Sequence, residues 1–149
     1  MWYVPKYFTV REMVCPHVYE KWQNSERMIW SFFDPTLLQT LDFLRETFNK
    51  PITVNDWADG GVFSQRGLRC NLCQLVSQKT AKGQLYVSSH ILGKAADFNV
   101  KGMTAEEVRQ WIINNKEKLP YPICIEDGVN WVHIDMRRLG TDNVYRFRG

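Results

Sequence analysis

The chain has 149 residues, of which 44% are hydrophobic and 23% are charged, and its formal net charge is +3 at pH 7. This length fits one domain over residues 1–149 that can bury a core without disulfide staples, and the composition is ordinary for a globular protein. The sequence contains no run of about eighteen apolar residues, so we expect no membrane-spanning helix and no membrane partner.

Three further features limit the class of protein: the N-terminus, the cysteines and the basic residues. Residues 1–6 contain no apolar run like that of a signal peptide, so we expect synthesis in the cytoplasm. In such a chain, four cysteines are expected to be reduced or metal-bound instead of paired as disulfides. The densest basic stretch, Arg137 to Arg148, is typical of a solvated end, and we expect no nucleic-acid partner.

The first half of the chain contains one clear helix start at Asp34-Pro35, where an N-cap acid precedes a proline at the first helical position. Apolar residues then recur at helical spacing to about Phe48, which predicts a helix with one buried face. Residues 51–55 predict a short strand. From Trp57 to about Val87 the chain is rich in Gly, Ser, Gln and Lys, and a loop of that length in a compact domain is usually functional.

A strand and a helix follow this irregular region. Residues 95–100 have strand character. Thr104 and Glu107 form a capping box, in which each side chain accepts a hydrogen bond from the other residue's backbone N–H. The helix that they begin continues to about Asn115.

The last third of the chain predicts strands. Residues 122–126 and 130–136 are expected to be neighbouring strands connected across the turn pair Asp127-Gly128, and residues 144–147 are expected to form one more. Together the elements predict a small α+β domain in which helices pack against an antiparallel sheet.

Two separate stretches carry residue types that bind metals. Residues 88–97 read Ser-Ser-His-Ile-Leu-Gly-Lys-Ala-Ala-Asp, and residues 131–135 read Trp-Val-His-Ile-Asp. They contain two of the three histidines of the chain. His90, Asp97 and His133 would give Zn²⁺ two imidazoles and one carboxylate, and would leave a fourth position open for water, as in catalytic sites.

The local pattern supports this ligand set without proving it. Because side chains in a strand alternate between two faces, His133 shares its face with Trp131 and Asp135. The apolar residues that alternate with these three point to the opposite face, which forms the core. Gly93 allows a sharp turn between the two ligands of the first stretch. Spacing alone leaves open that these histidines are hydrogen-bonded and bind no metal.

The pattern Ser-x-His-x-x-Gly-x-Ala-x-Asp followed by Trp-x-His resembles that of the zinc D-Ala-D-Ala carboxypeptidase family. This family includes phage L-alanyl-D-glutamate endopeptidases and is related to the hedgehog signalling domain. The resemblance implies a hedgehog/D,D-peptidase-like fold, His90, Asp97 and His133 as Zn²⁺ ligands, and a peptidoglycan stem-peptide substrate containing D-amino acids. It covers the rest of the chain more loosely.

Members of this family carry an arginine in a Ser-Gly-Tyr-Arg segment, where it holds the substrate carbonyl or carboxylate. The matching stretch here is Gln-Arg-Gly-Leu-Arg at residues 65–69, which aligns Arg69 with that arginine and leaves Arg66 as the alternative. A guanidinium suits an oxyanion and would stabilise the charge that develops in a tetrahedral intermediate. A surface salt bridge is the non-catalytic interpretation of Arg69.

At the family's position for the general base, this chain departs from the family pattern. Many relatives place a carboxylate three residues before the last histidine, where this chain has Asn130, and an amide cannot accept the proton of water. Other relatives supply the acid from further upstream, which leaves Glu126 or Asp127, and we choose Glu126 for its longer side chain. A tight hairpin at Asp127-Gly128 would leave Glu126 about 13 Å along the strand from His133. The role therefore requires a wider loop.

The cysteines suggest a second metal. Cys70 and Cys73 form a C-x-x-C pair, and Cys15 and His17 supply two more ligands of the kind found in structural Cys₃His zinc sites. The alternative is that these are reduced, partly buried thiols. Cys124 lies within a predicted strand and is expected to be a core residue.

The sequence therefore predicts a monomeric zinc metallopeptidase that acts on cell-wall peptides. With neither a signal peptide nor a wall-binding module, it would be a phage or prophage product that is released by lysis or carried in a virion. The alternative is a non-catalytic zinc-binding structural or interaction module of the same fold. The absence of an acid at Asn130 favours that alternative.

Overall fold

The computed structural model of the chain describes residues 2–149, which form six α-helices and five strands. The helices are α1 (Val10–Met13), α2 (Pro16–Trp22), α3 (Glu26–Ser31), α4 (Pro35–Phe48), α5 (Gln74–Ala81) and α6 (Ala105–Asn114). The strands are β1 (Ile52–Thr53), β2 (Ala95–Val100), β3 (Ile123–Glu126), β4 (Val132–Asp135) and β5 (Val144–Phe147). Short 3₁₀ turns lie at Trp57–Asp59 and Lys116–Lys118.

The five strands form one sheet in the order β1-β2-β4-β3-β5, so the α+β class that the sequence predicts is confirmed. Neighbouring strands are antiparallel except for β3 and β5, which run parallel and differ in this from the expected antiparallel sheet. The difference arises because β2 and β3 occupy both edges of β4. The chain leaving β4 therefore passes the start of β3 and pairs on its far side.

The two long helices begin as their sequences predict. At the start of α4 the Asp34 carboxylate accepts a hydrogen bond from Thr36 N at 2.9 Å, and Pro35 occupies the first turn. At the start of α6, Thr104 N donates to Glu107 Oε2 at 2.8 Å and Glu107 N donates to Thr104 Oγ1 at 3.1 Å. These contacts satisfy backbone donors that a helix end otherwise leaves without partners.

The sheet has an apolar face and a polar face, and this division positions the functional residues. The side chains on the apolar face join the buried face of α4 in one core, which includes Leu37, Leu38, Leu41, Leu44, Ala96, Phe98, Val100, Ile123, Ile125, Val132 and Ile134. Because side chains alternate along each strand, the opposite face carries Asp97, Cys124, Glu126, His133 and Asp135.

The long region that the sequence predicts to be irregular contains only one helix, α5, and its backbone is tied both to the N-terminal part of the chain and to the sheet. Leu68 N donates to Met13 O at 2.9 Å, and Asp97 N donates to Arg66 O at 2.7 Å. The region thereby brings residues 66–70 next to Asp97.

The helices within residues 2–149 are all too short or too polar to cross a lipid bilayer.

Candidate metal centres

Three buried side chains converge on the polar side of the sheet. The register of β2 and β4 places Asp97 directly opposite His133, and His90 lies in the turn that precedes β2. His133 Nδ1 lies 2.7 Å from Asp97 Oδ1, and His90 Nε2 lies 3.3 Å from Asp97 Oδ2. Each residue offers one ligand atom within 4.8 Å of the other two, so the predicted set of three can hold one metal ion.

The turn that presents His90 depends on Gly93. This residue has a φ of 67°, and a Cβ at its position would collide with the carbonyl oxygen of Phe32. Its own carbonyl accepts a hydrogen bond from Asp34 N at 2.9 Å, next to the start of α4. Only glycine combines this backbone conformation with so close an approach.

His90 is oriented as metal-binding histidines usually are. Its Nδ1 lies 2.9 Å from Gly67 O, and because a carbonyl only accepts, Nδ1 carries the proton. This leaves a lone pair on Nε2, which is buried and has no hydrogen-bond partner within residues 2–149. A buried ring nitrogen without a partner, beside a carboxylate, fits a metal ligand whose other nitrogen is fixed by the backbone.

His133 lies between two carboxylates. Its Nε2 is 2.9 Å from Asp135 Oδ2, and its Nδ1 faces Asp97. Burial favours the neutral ring, but the hydrogen bonds to Asp135 and Asp97 outweigh it and raise the pKa of His133 to about 9. Without metal, both ring nitrogens therefore carry protons at neutral pH. A bound cation would replace the proton on Nδ1, and Asp135 would retain the other.

Asp135 and Arg137 form a second layer that the sequence analysis did not identify. Asp135 is fully buried, and Arg137 donates to both of its carboxylate oxygens, from Nε at 2.9 Å and from Nη2 at 2.8 Å. Burial opposes its ionisation, but the hydrogen bonds from His133 and Arg137 lower the pKa of Asp135 to about 2. The Trp-x-His-x-Asp alternation was the signal that could have identified this partner.

Glu126 lies on the metal side of the sheet. The β3–β4 register pairs Cys124 with Asp135 and Ile125 with Ile134, and its continuation places Glu126 opposite His133. Residues 127–131 form the wider loop that this position requires. Glu126 lines the same cavity of about 290 Å³ as His90 and His133.

Asp127, the alternative base, and Asn130, which stands at the family's position for the acid, lie elsewhere. Asp127 accepts two hydrogen bonds from Arg146, at 2.9 and 3.2 Å, and does not line this cavity. Asn130 lines a separate cavity together with residues of α6.

Both arginines of the 65–69 segment lie near Asp97. Arg69 Nη2 is 3.4 Å from Asp97 Oδ2, and its other nitrogens donate to Gln65 O and to Tyr86 Oη, each at 2.6 Å. Arg69 is thus half-buried and forms an ion pair with Asp97, one of the three candidate metal ligands.

Arg66 is oriented differently. Its Nη2 donates to Asn99 Oδ1 at 2.7 Å, and its guanidinium carbon lies 4.2 Å from the centre of the Phe63 ring. Both arginines, together with Asp97 and Trp131, line a second cavity of about 280 Å³. His90 and His133 thus line the cavity that contains Glu126, whereas Asp97 lines the cavity that contains the arginines.

The cysteines form a second cluster that can hold a metal ion. Cys15, His17, Cys70 and Cys73 each offer one ligand atom, and these four atoms all lie within 4.8 Å of one another. Cys124 is apart from them and fully buried, where its Sγ donates to Arg137 O at 2.9 Å, as expected for a core residue. The sequence indicates this set of four by its residue types and spacing, and the fold brings the two halves together.

Comparison of the chain with protein-family models, with curated proteins and with solved structures found no match.

Proposed function

We propose that the protein is a zinc-dependent metallopeptidase that hydrolyses stem peptides of peptidoglycan. One observation carries this proposal: the unpartnered Nε2 of His90 lies beside Asp97 and His133, in a cavity that also contains Glu126. Two histidines and one carboxylate are a ligand set of catalytic zinc sites. The motif resemblance to D-Ala-D-Ala carboxypeptidases supports the substrate class.

His90, Asp97 and His133 would hold the zinc ion, which would supply Lewis-acid chemistry at the scissile carbonyl and at the attacking water. When a metal ion replaces the proton on His133 Nδ1, Asp135 would keep the other proton on Nε2. Gly67 does the same for His90 through its carbonyl oxygen. Both rings are therefore fixed in the tautomer that metal binding requires.

Glu126 acts as the general base in this proposal. It faces the cavity from the strand opposite His133 and would take the proton of the attacking water. It would then deliver that proton to the nitrogen of the leaving amine, so that the peptide bond breaks to give a carboxylate and an amine.

Arg69 supplies positive charge on the other side of Asp97. Hydrogen bonds to Gln65 O and Tyr86 Oη hold its side chain, so little rearrangement is needed when negative charge develops on the substrate oxygen. The cavity lined by His90 and His133 and the cavity lined by Asp97 and Arg69 would accommodate the peptide on either side of the scissile bond.

The decisive experiment compares zinc-loaded wild type with Glu126→Gln on purified peptidoglycan and on synthetic stem peptides, with release of amino groups as the measurement. We expect the loss of the base to lower kcat by about 10²- to 10⁴-fold while the zinc content stays unchanged. Asp127→Asn is the matched control, because this carboxylate is paired with Arg146 outside the cavity, and it should retain activity.

Two results would overturn parts of this proposal. Full activity in Glu126→Gln would show that another group is the base. A wild type that binds zinc and releases no amino groups would instead identify a non-catalytic zinc-binding module of the same architecture.

A further inference from the structure

We propose that Cys15, His17, Cys70 and Cys73 bind a second zinc ion in a closed structural site, and that this site positions Arg69 and His90 at the first metal centre. Zinc binding by these four residues is independent of the proposed peptidase function. Only the effect on turnover rests on that function.

The distances within the cluster match a tetrahedral Cys₃His site. Cys15 Sγ and Cys73 Sγ lie 3.7 and 3.9 Å from Cys70 Sγ, and His17 Nδ1 lies 3.6 and 4.0 Å from the sulfurs of Cys70 and Cys73. Ligands about 2.3 Å (sulfur) and about 2.0 Å (nitrogen) from a tetrahedral zinc are separated by roughly 3.8 Å between sulfurs and roughly 3.6 Å between sulfur and nitrogen. A disulfide would need two sulfurs about 2.05 Å apart.

The backbone around the C-x-x-C pair donates hydrogen bonds to the sulfurs. Cys70 N donates to Cys73 Sγ and Leu72 N donates to Cys70 Sγ, each at 3.4 Å. Such contacts favour thiolates, the form in which cysteine binds metal. Three thiolates and one imidazole complete a coordination of four, with no position left for substrate, and this is the property that defines a structural site.

The cluster joins parts of the chain that are distant in sequence and share little core. Cys15 caps the start of α2, and Cys73 caps the start of α5. The buried apolar residues around them form a small group separate from the main core, in which only Val76 accompanies these two cysteines. A zinc ion would supply the stabilisation that so few apolar contacts do not provide.

Residues next to the cluster contact the first metal centre directly. Arg69 precedes Cys70 in the chain, and its backbone N–H donates to His90 O at 3.3 Å. Gly67, three residues before Cys70, holds the His90 ring through its carbonyl. Tyr86 packs against the group of Cys15 and Cys73, and its hydroxyl accepts a hydrogen bond from Arg69 Nη1 at 2.6 Å.

The four cluster residues are therefore positioning residues. They touch neither the substrate nor the first metal ion, and they act by fixing the 67–70 segment, from which the Arg69 side chain and the backbone partner of His90 extend. Release of the second zinc should loosen this segment and leave Asp97 and His133 in place, because the pairing of β2 and β4 holds those two residues.

The first test is the metal content of the purified full-length chain. We expect two zinc ions per chain in the wild type, one in His17→Asn and one in His133→Asn. His17 is exposed, so its replacement should leave the fold intact. Cys124→Ala is the matched control, because it removes a thiol outside the cluster and should retain both ions.

Cobalt substitution identifies the ligands without reference to activity. Thiolate-to-cobalt charge-transfer absorption should appear in the wild type and in His133→Asn, and should be lost in Cys70→Ala. A wild type that binds one zinc, loses it in His133→Asn and shows no thiolate charge transfer with cobalt would overturn the proposal. This spectrum of the wild type decides the matter even if the cysteine variant fails to fold.

The positioning role is tested by rescue. His17→Asn should lower kcat by about 10- to 100-fold while the first zinc remains bound, the range expected when outer partners of a metal ligand are lost. His17→Cys, which rebuilds the site with four thiolates, should restore both the second zinc and the turnover. Restoration of the zinc without restoration of turnover would contradict the positioning role. If the wild type has no peptidase activity, the visible spectrum of cobalt at the first centre reports the same loosening in His17→Asn and its recovery in His17→Cys.

Discussion

Asp135 illustrates how much of a metal site lies outside its ligands. It is not one of the three candidate ligands, yet it is fully buried between His133 and Arg137 and would hold the proton on His133 Nε2 when a metal ion replaces the proton on Nδ1. A histidine in the wrong tautomer would turn an N–H group toward Asp97 and the metal. The Asp135 carboxylate would therefore affect metal affinity by holding the proton on His133 Nε2.

The replacement Asp135→Asn tests this role. We expect it to weaken zinc binding at the His90, Asp97 and His133 centre by about 10- to 100-fold, because the amide no longer favours the proton on His133 Nε2. Competition with a chelator measures the affinity. Asp127→Asn, which removes an exposed ion pair, should leave the affinity unchanged, and equal losses in both variants would refute the role of Asp135.

At the residue scale, the sequence predicted which three side chains would converge better than it predicted their surroundings. The three atoms converge because His133 and Asp97 occupy paired positions in adjacent strands, whereas the sequence indicated only the strand face on which His133 lies. The different environments of Arg66 and Arg69 could not be predicted. The burial of Arg66 under Phe63 depends on how a loop folds over the sheet.

Among the secondary-structure elements, the turn between His90 and β2 depends most on a single residue. Gly93 needs a left-handed backbone conformation and also lies against the carbonyl of Phe32. Gly102 has a similar φ of 76° but has nothing within 4 Å of a built Cβ. Replacing Gly102 by alanine therefore measures only the cost of the left-handed conformation. Replacing Gly93 by alanine measures that cost together with the cost of close packing.

Urea unfolding of Gly102→Ala and Gly93→Ala measures these costs. We expect Gly102→Ala to lower the free energy of unfolding by about 1–2 kcal/mol, the cost of a left-handed conformation for a residue with a Cβ. Gly93→Ala should lose a further ~1–3 kcal/mol, because the chain must move to relieve the collision with Phe32. Equal losses would show that the contact with Phe32 is not restrictive.

The elements that the sequence predicted well are those with local signals. Helices α4 and α6 carry their own caps, at Asp34 and at Thr104 with Glu107, so their starts needed no tertiary information. The parallel pairing of β5 could not be predicted, because it depends on which edges of β4 are already occupied. The register between β3 and β4 sets the width of the loop after Glu126, and this register could not be predicted either.

For the molecule as a whole, the first metal centre links stability to pH. The pKa of His133 is raised from 6.5 to about 9 in the metal-free protein by its two carboxylate partners. Its stabilising contribution is therefore fully present below pH 6.5 and is lost as the pH rises towards 9. A zinc ion bound as proposed would take the place of the proton on Nδ1, so the zinc-loaded protein would keep this contribution.

The difference in stability between zinc-loaded and metal-free protein should consequently widen from pH 6.5 to pH 9, by at most about 3 kcal/mol from this histidine. Chemical unfolding of both forms at the two pH values measures the change. In His133→Asn, the increase in the stability difference that His133 causes should be absent. Any increase that zinc binding at the cysteine cluster causes should remain. An equal widening in wild type and variant would contradict the link.

The direct pairing of Asp97 with His133 has a consequence for engineering. Main-chain hydrogen bonds between two inner strands of the sheet hold this half of the metal centre, while the cavity walls come from loops and exposed side chains such as Val62, Phe63, Val87 and Leu92. A library that randomises these wall positions would change the shape offered to a ligand without altering the strand pairing. The scaffold thus separates the part that must stay constant from the part that can be selected for new specificities.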